Sequence, residues 1–264
     1  MNKTIHNKVE LLDAINKIPK FTKRDIFVQD EAQNYIQEKR LIAITEEDTE
    51  AKYEIITTIS KWYKLIQFEN VFAPIVNHFQ DVEGELSYYF GAGVMGLFPK
   101  GDEFKTEDGH KIGLVITNSV NTCLAINVNF CILVNNKRVY LPNKIGIFRR
   151  LHIGKKVEQI ATDYERFLGD IKDSWKIVVS KFDRALTQDD VDNVIRELKL
   201  GARYSKKIRE TFKVIEGANL KLWDLFMEIV EVYSEREYKK EENRITNMKK
   251  ISNVLYSYAL MEII

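Results

Sequence analysis

The stretch Leu124–Leu141, LAINVNFCILVNNKRVYL, carries the pattern of a β-hairpin. Apolar and polar residues alternate over its first half, and an apolar run then continues as far as Val134. This pattern is typical of a strand whose sheet is half covered by helices. The two asparagines that follow favour a two-residue hairpin turn. We therefore predict strands over 122–134 and 137–141.

Glycine and proline are distributed unevenly around this hairpin. Nine of the twelve glycines and three of the four prolines lie between residues 74 and 154, and no proline follows Val157. Such punctuation indicates strands and turns in the middle of the chain and a long helical part after it. We predict an α+β fold with a central antiparallel-rich sheet, helices packed on it and a long helical C-terminal part. Residues 1–156 and 157–264 would be its two regions, in one domain.

Periodicity predicts further elements on both sides of the hairpin. Apolar spacing predicts a helix over 9–15, a helix over 68–79, a helix over 188–198 with Thr187 as its N-cap, and a long helix or helical hairpin over the last 45 residues. Short β-rich segments lie at 25–28 and 53–59, and further strands are expected near 86–98 and 111–117.

A glycine motif, G-x-G-x-x-G, occurs at Gly91, Gly93 and Gly96. A dinucleotide site needs this motif to open a helix, with an acid about twenty residues later. Here it leads into the turn sequence Pro99–Gly101, which also lacks the G-K-[ST] ending of a phosphate loop. We therefore predict no nucleotide cofactor and no other cofactor. Instead, Gly91 and Gly93 are expected to share one strand face.

Several kinds of catalytic site are disfavoured by their spacing. Glu103 and Lys105 have the E-x-K spacing of a nuclease strand, with Asp81 upstream as a metal ligand, but chance charges on a strand produce the same letters. Ser119 and His152 have no orienting acid near them in the sequence. The two cysteines and four histidines are scattered and predict buried thiols, not a disulfide or zinc site. A non-enzymatic role is therefore favoured, with no catalytic or metal-binding residue assigned.

The strongest anomaly of the sequence is a stretch without acids. Between Asp108 and Glu158 there are 49 positions, eight of them Lys or Arg and none Asp or Glu. At the mean frequency of the chain, 39 acids in 264 residues, about seven acids would be expected there. The net charge of the chain is +1, and this stretch contributes +8, so the rest of the chain has a net charge of −7.

Such a stretch favours nucleic acid as a partner, with single-stranded DNA as one candidate. Lys and Arg bind phosphates, and interleaved aromatic residues stack on unpaired bases. The candidate contact residues are Lys137, Arg138, Tyr140, Lys144, Phe148, Arg149, Arg150, His152, Lys155 and Lys156, extended by Arg203, Lys206 and Lys207. The alternatives are an intramolecular match to the acidic remainder, simple solvated charge, or another anionic partner.

A second function class is an interaction or virion-associated protein that binds a host or phage protein. Its contact surface, for a protein partner or a second copy, would be the C-terminal helices with Trp223, Phe226 and Tyr233. No apolar run approaches the roughly 20 residues of a membrane span, and the N-terminus lacks a signal-peptide pattern. We therefore expect a cytoplasmic protein with no membrane partner.

Short motifs recur in a fixed order along nearly the whole chain. They are Tyr53–Thr57 with Tyr63, Asn118–Ala125, Cys131 with Asn135, Arg150–Gly154, and Leu222–Tyr233. In this order the chain resembles the phage/plasmid-like family known as domain of unknown function 932. It departs from that pattern at Asn121-Thr122, where the family has Asp-Gly. The resemblance implies a mobile-element origin and supplies no catalytic residues.

Overall fold

The computed structural model describes residues 2–31, 33–47, 53–60, 65–120, 126–141, 159–213, 219–235 and 241–260. These residues form nine strands and seven α-helices. The strands are β1 (Asn2–Ile5), β2 (Phe21–Gln29), β3 (Tyr35–Glu47), β4 (Tyr53–Ser60), β5 (Val82–Tyr89), β6 (Ala92–Pro99), β7 (Lys111–Ser119), β8 (Asn127–Val134) and β9 (Lys137–Tyr140). The helices are α1 (Lys8–Asn16), α2 (Glu69–His78), α3 (Gln159–Phe182), α4 (Gln188–Leu198), α5 (Ala202–Thr211), α6 (Leu222–Glu235) and α7 (Glu241–Leu260).

Six strands form the larger sheet, in the order β1-β5-β6-β7-β8-β9. The pairings β1–β5, β5–β6, β6–β7 and β8–β9 are antiparallel. Asn135 and Asn136 connect β8 to β9 with φ angles of 48° and 60°, and Val134 pairs with Lys137. Positive φ at both central residues defines the type I′ turn, whose twist matches that of the strands. The α+β class and this hairpin are therefore confirmed.

The glycine motif lies at the β5–β6 hairpin. Phe90 and Gly91 form its two-residue turn, with φ angles of 44° and 73°. The prediction that Gly91 and Gly93 share a strand face is therefore wrong, because Gly91 is a turn residue. Gly93 lies in β6, where a Cβ atom would approach Cε1 of Phe68 to 2.5 Å. Because Gly93 has no side chain, it leaves room for the buried ring of Phe68, the N-cap residue of α2.

Among the described residues, the second sheet has three strands, in the order β2-β3-β4, paired antiparallel. The register of the β2–β3 pairing shifts between Asp25 and Phe27. Leu41 of β3 pairs with Ser60, the last residue of β4. The part of the β2–β3 hairpin from Phe27 to Gln37 is here named the distal ribbon.

By its internal contacts the chain divides into two compact units. Unit one comprises Met1–Lys100, Leu114–Val128 and Phe148–Tyr164, and unit two comprises Gly101–Gly113, Asn129–Ile147 and Glu165–Ile264. The boundary differs from the predicted one at residue 156, because unit two includes β9 and most of β8 as well as the C-terminal helices.

The core of unit one forms around α1, α2 and β5. Val71, Phe72, Ile75 and Val76 of α2 are fully buried, which confirms the helical spacing predicted for this segment. Phe68 packs against the rings of Phe72 and Tyr88, at centroid distances of 5.7 and 5.6 Å. Burial of such aromatic rings contributes a large share of the apolar area removed from water.

Unit two has a helical core. Thr187 accepts a hydrogen bond from the backbone N–H of Asp190, whose side chain accepts one from the Thr187 N–H, so the predicted N-cap of α4 is confirmed. The C-terminal part forms the helical hairpin α6–α7, and both of these helices contact β9. Among the described residues, no helix is long and apolar enough to cross a bilayer.

Candidate nucleic-acid interface

The described cations of the acid-free stretch are Lys111, the first residue of β7, and two residues of β9. Lys137 and Arg138 are the first two residues of β9 and are partly exposed. Val139 and Tyr140 are buried, with Tyr140 only 2% exposed, and Tyr140 pairs with Cys131 of β8. A ring so deeply buried cannot stack on a base, so the role predicted for Tyr140 is corrected to that of a core residue.

Seven of the predicted contact residues lie outside the described residues. They are Lys144, Phe148, Arg149, Arg150, His152, Lys155 and Lys156. The chain enters this segment directly from Leu141, whose backbone N–H donates to the carbonyl of Phe130. The segment therefore starts at the end of β9, next to the partly exposed cations.

The other predicted cations lie on α5. Arg203, Lys206 and Lys207 are all exposed. The ammonium of Lys206 lies 3.7 Å from the carboxylate of Glu210, and that of Lys207 lies 3.0 Å from the carboxylate of Glu228. The sequence left open whether these cations pair with acids of the same chain, and Lys206 and Lys207 do form such pairs. Exposed ion pairs of this kind are weak, contributing about 0–1 kcal/mol, so they reduce the attraction to phosphate without abolishing it.

The two cationic segments belong to the same unit and contact a common helix. Both β9 and α5 contact α6, and α5 also contacts α4. The two cationic segments, far apart in sequence, therefore share α6 as a neighbour. The sequence could predict the cations but not this shared neighbour, because the contact depends on the α6–α7 hairpin.

A second polar site in unit two was not predicted. The carboxylate of Asp108 accepts hydrogen bonds from the hydroxyl of Thr106 and, at 3.4 Å, from Nε1 of Trp175. Nε2 of His110 lies 3.3 Å from the same carboxylate. These contacts hold the loop before β7 against α3. A cleft of about 280 Å³ adjoins them, lined by Glu107, Asp108, Lys172, Trp175, Lys176, Val179, Ser180 and Asp183.

The arrangement of Asp108 indicates a structural role. Its carboxylate already has three neighbours that bind it, and Lys176 lies 3.2 Å from Glu107 at the rim. The cluster was hidden in the sequence because Trp175 lies 67 residues after Asp108.

The geometry does not support the E-x-K strand on which the nuclease alternative depends. Glu103 lies in a 3-10 turn over Asp102–Phe104, not in a strand, so Glu103 and Lys105 do not share a strand face. Lys105 pairs with Asp102 at 2.7 Å, and Asp81 pairs with Lys100 at 3.0 Å. The hydrogen bond from Lys100 lowers the pKa of Asp81. Among the described residues, no group of three or more His, Cys, Asp or Glu side chains is arranged to hold a metal ion.

The remaining candidate residues are placed as follows. Ser119 is buried in β7, and its suggested partner His152 lies outside the described residues. Cys131 is a buried free thiol, as predicted, whereas Cys123 also lies outside the described residues. Ser119 is therefore not exposed to act as a nucleophile.

The aromatic residues of α6 are mainly core residues. Phe226 is fully buried, and Trp223 packs against Trp175 and Phe182 at centroid distances of 5.8 and 6.2 Å. Their predicted role as a contact surface is corrected for Phe226, because its ring is inaccessible. Tyr233 is half-buried, beside Tyr204 of α5.

Comparison with known proteins gives no relative from which a role could be transferred. No family model matches the chain, and neither a curated protein nor a solved structure shows significant similarity to it. The resemblance to the phage/plasmid-like family therefore stays a prediction.

Proposed function

We propose that this protein binds nucleic acid through the basic stretch that begins at β9, with single-stranded DNA as the first candidate ligand. The observation that carries the proposal is the absence of any acid between Asp108 and Glu158, in a stretch with eight cations. Each carboxylate in such a surface would repel a phosphate, so the missing acids support phosphate binding as much as the cations do. The protein would act in replication or recombination of a mobile element, in the cytoplasm of its host.

The burial of Tyr140 makes the proposal more specific. With this ring in the core, Phe148 is the one aromatic residue left among the predicted contacts of the stretch. Binding then relies on phosphate contacts, which carry no sequence information. We expect affinity for many sequences, with a strong dependence on salt.

Insertion of a single negative charge tests the proposal. Asn143→Asp places an acid in the middle of the acid-free stretch with almost no change of shape. Asn70→Asp places the same charge at an exposed position in the first turn of α2 and is the matched control. In filter binding at about 50 mM salt, the wild type should retain single-stranded oligonucleotides, Asn143→Asp should weaken retention, and Asn70→Asp should not. Equal effects of the two variants, or no retention by the wild type, would contradict the proposal.

A second candidate function is that of a protein-interaction module. The distal ribbon favours it, because it presents large apolar side chains to solvent. Phe27 and Tyr35 are 58% and 73% exposed, and Val28 and Ile36 are 48% and 49% exposed. A partner that covers these side chains would remove their apolar surface from water, which is favourable.

A further inference from the structure

Two exposed aromatic side chains lie side by side at the β5–β6 turn. Tyr89 is 71% exposed and Phe90 is 44% exposed. Their ring centroids are 6.4 Å apart, and the ring planes are inclined by 45°. Exposed rings of this kind are surfaces on which proteins stack unpaired bases, because every base has a π-face. The stacking role that the sequence assigned to the buried Tyr140 therefore has an accessible candidate at this turn.

The backbone of the turn favours a residue other than phenylalanine. Phe90 and Gly91 have φ angles of 44° and 73°. A two-residue turn with positive φ at both positions prefers Asn or Gly, and a bulky residue there is strained. Strained residues of this kind are concentrated at functional sites. The ring of Phe90 is therefore kept at this position at a cost to stability.

Contacts of the preceding residue hold the turn in place. The hydroxyl of Tyr88 accepts a hydrogen bond from the N–H of Gly91 at 3.2 Å and donates one to the carboxylate of Glu46 at 3.1 Å. The Tyr88 ring also packs edge-on against Phe68, at 5.6 Å between centroids. Because side chains alternate along a strand, Tyr89 lies on the face of β5 opposite to Tyr88. The exposed rings thus belong to a turn that is fixed before any ligand binds.

The turn directly adjoins the acid-free stretch. The carbonyl of Gly91 accepts a hydrogen bond from the N–H of Val120 at 2.8 Å, and Ala92 pairs with Ser119. Ser119 and Val120 both belong to the acid-free stretch. The rings therefore lie beside the part of the chain whose charge pattern favours a nucleic-acid partner.

The surroundings of the two rings carry little charge. No Asp, Glu, Lys, Arg or His occurs at positions 86–98 or 112–136. The nearest acid along β5, Glu85, lies four residues before Tyr89, about 13 Å along the strand. The carboxylate of Glu46 is partly buried and already binds the Tyr88 hydroxyl. Such a surface neither repels the phosphates of a bound strand nor attracts a highly charged peptide, and it suits the uncharged bases of a nucleic acid.

We propose that Tyr89 and Phe90 form a stacking platform for unpaired bases of single-stranded DNA. The inference rests on the proposed nucleic-acid binding and adds to it a preference for single strands. In a duplex the faces of the bases are already stacked on one another and are closed to the two rings. Stacking involves no phosphate, so the platform adds affinity without adding to the salt dependence.

The first experiment removes both rings. In Tyr89→Ser/Phe90→Gly the strained position receives a residue that adopts positive φ without strain. At about 50 mM salt, fluorescence anisotropy should show that this variant binds a labelled single-stranded oligonucleotide at least about tenfold more weakly than the wild type, the loss expected for one stacked base. Its affinity for a duplex of the same sequence should be unchanged. Tyr35→Ser, at a 73% exposed tyrosine of β3, is the matched control and should bind like the wild type.

Salt dependence separates stacking from phosphate contact. The slope of the logarithm of affinity against the logarithm of salt concentration counts phosphate contacts, so Tyr89→Ser/Phe90→Gly should lower affinity at every salt concentration and leave the slope unchanged. A reduced slope would assign the two residues to phosphate binding and overturn the platform. Tyr89→Phe keeps the ring and loses the hydroxyl, so it should bind like the wild type. Weaker binding by Tyr89→Phe would contradict stacking.

Circular dichroism and thermal unfolding establish that each variant is folded. Tyr89→Ser alone leaves the turn residues unchanged and repeats the comparison with one ring removed. Absence of single-strand binding by the wild type would contradict the proposed function itself. Where the wild type binds, an unchanged affinity in Tyr89→Ser/Phe90→Gly would overturn the platform alone and leave a protein contact as the use of the exposed rings. Equal losses on single strands and duplexes would also overturn it.

Discussion

The ammonium group of Lys207 lies 3.0 Å from a carboxylate oxygen of Glu228, an ion pair that joins α5 to α6. A further cation of α5, Arg209, donates to the carboxylate of Asp192 in α4 at 2.8 Å. These pairs show that cations of α5 bind acids of neighbouring helices. The cations of α5 neutralise acids of their own unit, whereas the stretch after β9 has no acids of its own in the sequence. The two cationic segments are therefore not equivalent.

We therefore expect substitutions in the two cationic segments to lower nucleic-acid affinity by different amounts. Lys206→Ala/Lys207→Ala should weaken binding less than Arg149→Ala/Arg150→Ala, because the lysines already have carboxylate neighbours. Fluorescence anisotropy with a labelled single-stranded oligonucleotide measures both variants, with Lys17→Ala, at the exposed C-cap of α1, as the control. A larger loss for the α5 variant would place the main contact on α5 instead.

The glycine at position 93 should be intolerant of a side chain. The Cβ of Gly93→Ala would meet the buried ring of Phe68, and such overpacking costs about 1–3 kcal/mol of unfolding free energy. Gly169→Ala is the matched control, because a Cβ there meets nothing within 4 Å and the residue is exposed inside α3. The control should stabilise the protein by about 0.5–1 kcal/mol. Urea denaturation measures the unfolding free energy of both variants. If both substitutions change it in the same direction, the packing described for Gly93 is contradicted.

Loss of the Asp190 carboxylate should destabilise unit two. Asp190 is 4% exposed and binds both Nη atoms of Arg184, at 2.7 and 2.9 Å, in addition to the Thr187 N–H. Asp190→Ala removes the carboxylate that binds the Arg184 guanidinium and removes half of the capping box. We expect a loss of about 2–4 kcal/mol, below the full cost of a buried pair because Arg184 is partly exposed.

The exposed neighbour Asp189 supplies the control for this prediction. It lies in the same helical turn, so Asp189→Ala should lower the unfolding free energy by less than about 1 kcal/mol. Chemical denaturation of both variants gives the comparison. Similar losses for Asp189→Ala and Asp190→Ala would show that the pair with Arg184 contributes nothing beyond the helix dipole.

A buried phenol gives the protein a predictable response to alkaline pH. Burial raises the pKa of Tyr256 far above its ordinary value of 10.0. Above that value the unfolded chain loses the phenolic proton while the folded chain keeps it, so stability falls as the pH rises. Tyr256→Phe should reduce this fall.

At neutral pH the same substitution should be neutral or stabilising. The hydroxyl of Tyr256 is buried and has no hydrogen-bond partner among the described residues. Tyr89→Phe, at a 71% exposed tyrosine, is the control. Unfolding curves recorded on either side of pH 10.0 supply the measurement, and an unchanged alkaline decline in Tyr256→Phe would contradict this assignment.

Much of the secondary structure could be predicted because its signals are local. Two asparagines that tolerate positive φ define the β8–β9 turn, and Thr187 with the acids after it defines the start of α4. The β5–β6 turn was misplaced because Phe90 adopts a positive φ, which a bulky residue rarely does. The strand β3 was not predicted; its first two residues, Tyr35 and Ile36, are both exposed, so burial does not alternate there.

The candidate sites were less predictable than the elements, because they depend on tertiary contacts. The pattern of cations indicated Tyr140 as a base-stacking residue, but its ring is buried in the core, in a residue paired with Cys131 of β8. Trp223 and Phe226 looked like an interaction surface, yet they pack with residues of α3. Large apolar side chains are exposed instead in the distal ribbon, at Phe27, Val28, Tyr35 and Ile36.

The central claim is tested most directly by the salt dependence of nucleic-acid affinity. Between about 50 and 200 mM salt, the logarithm of the association constant should fall linearly and steeply with the logarithm of the salt concentration. Arg149→Ala/Arg150→Ala should weaken binding for all sequences and reduce the slope by about two, one for each lost phosphate contact. An affinity that is independent of salt, or no binding at the low-salt end of the range, would contradict the account.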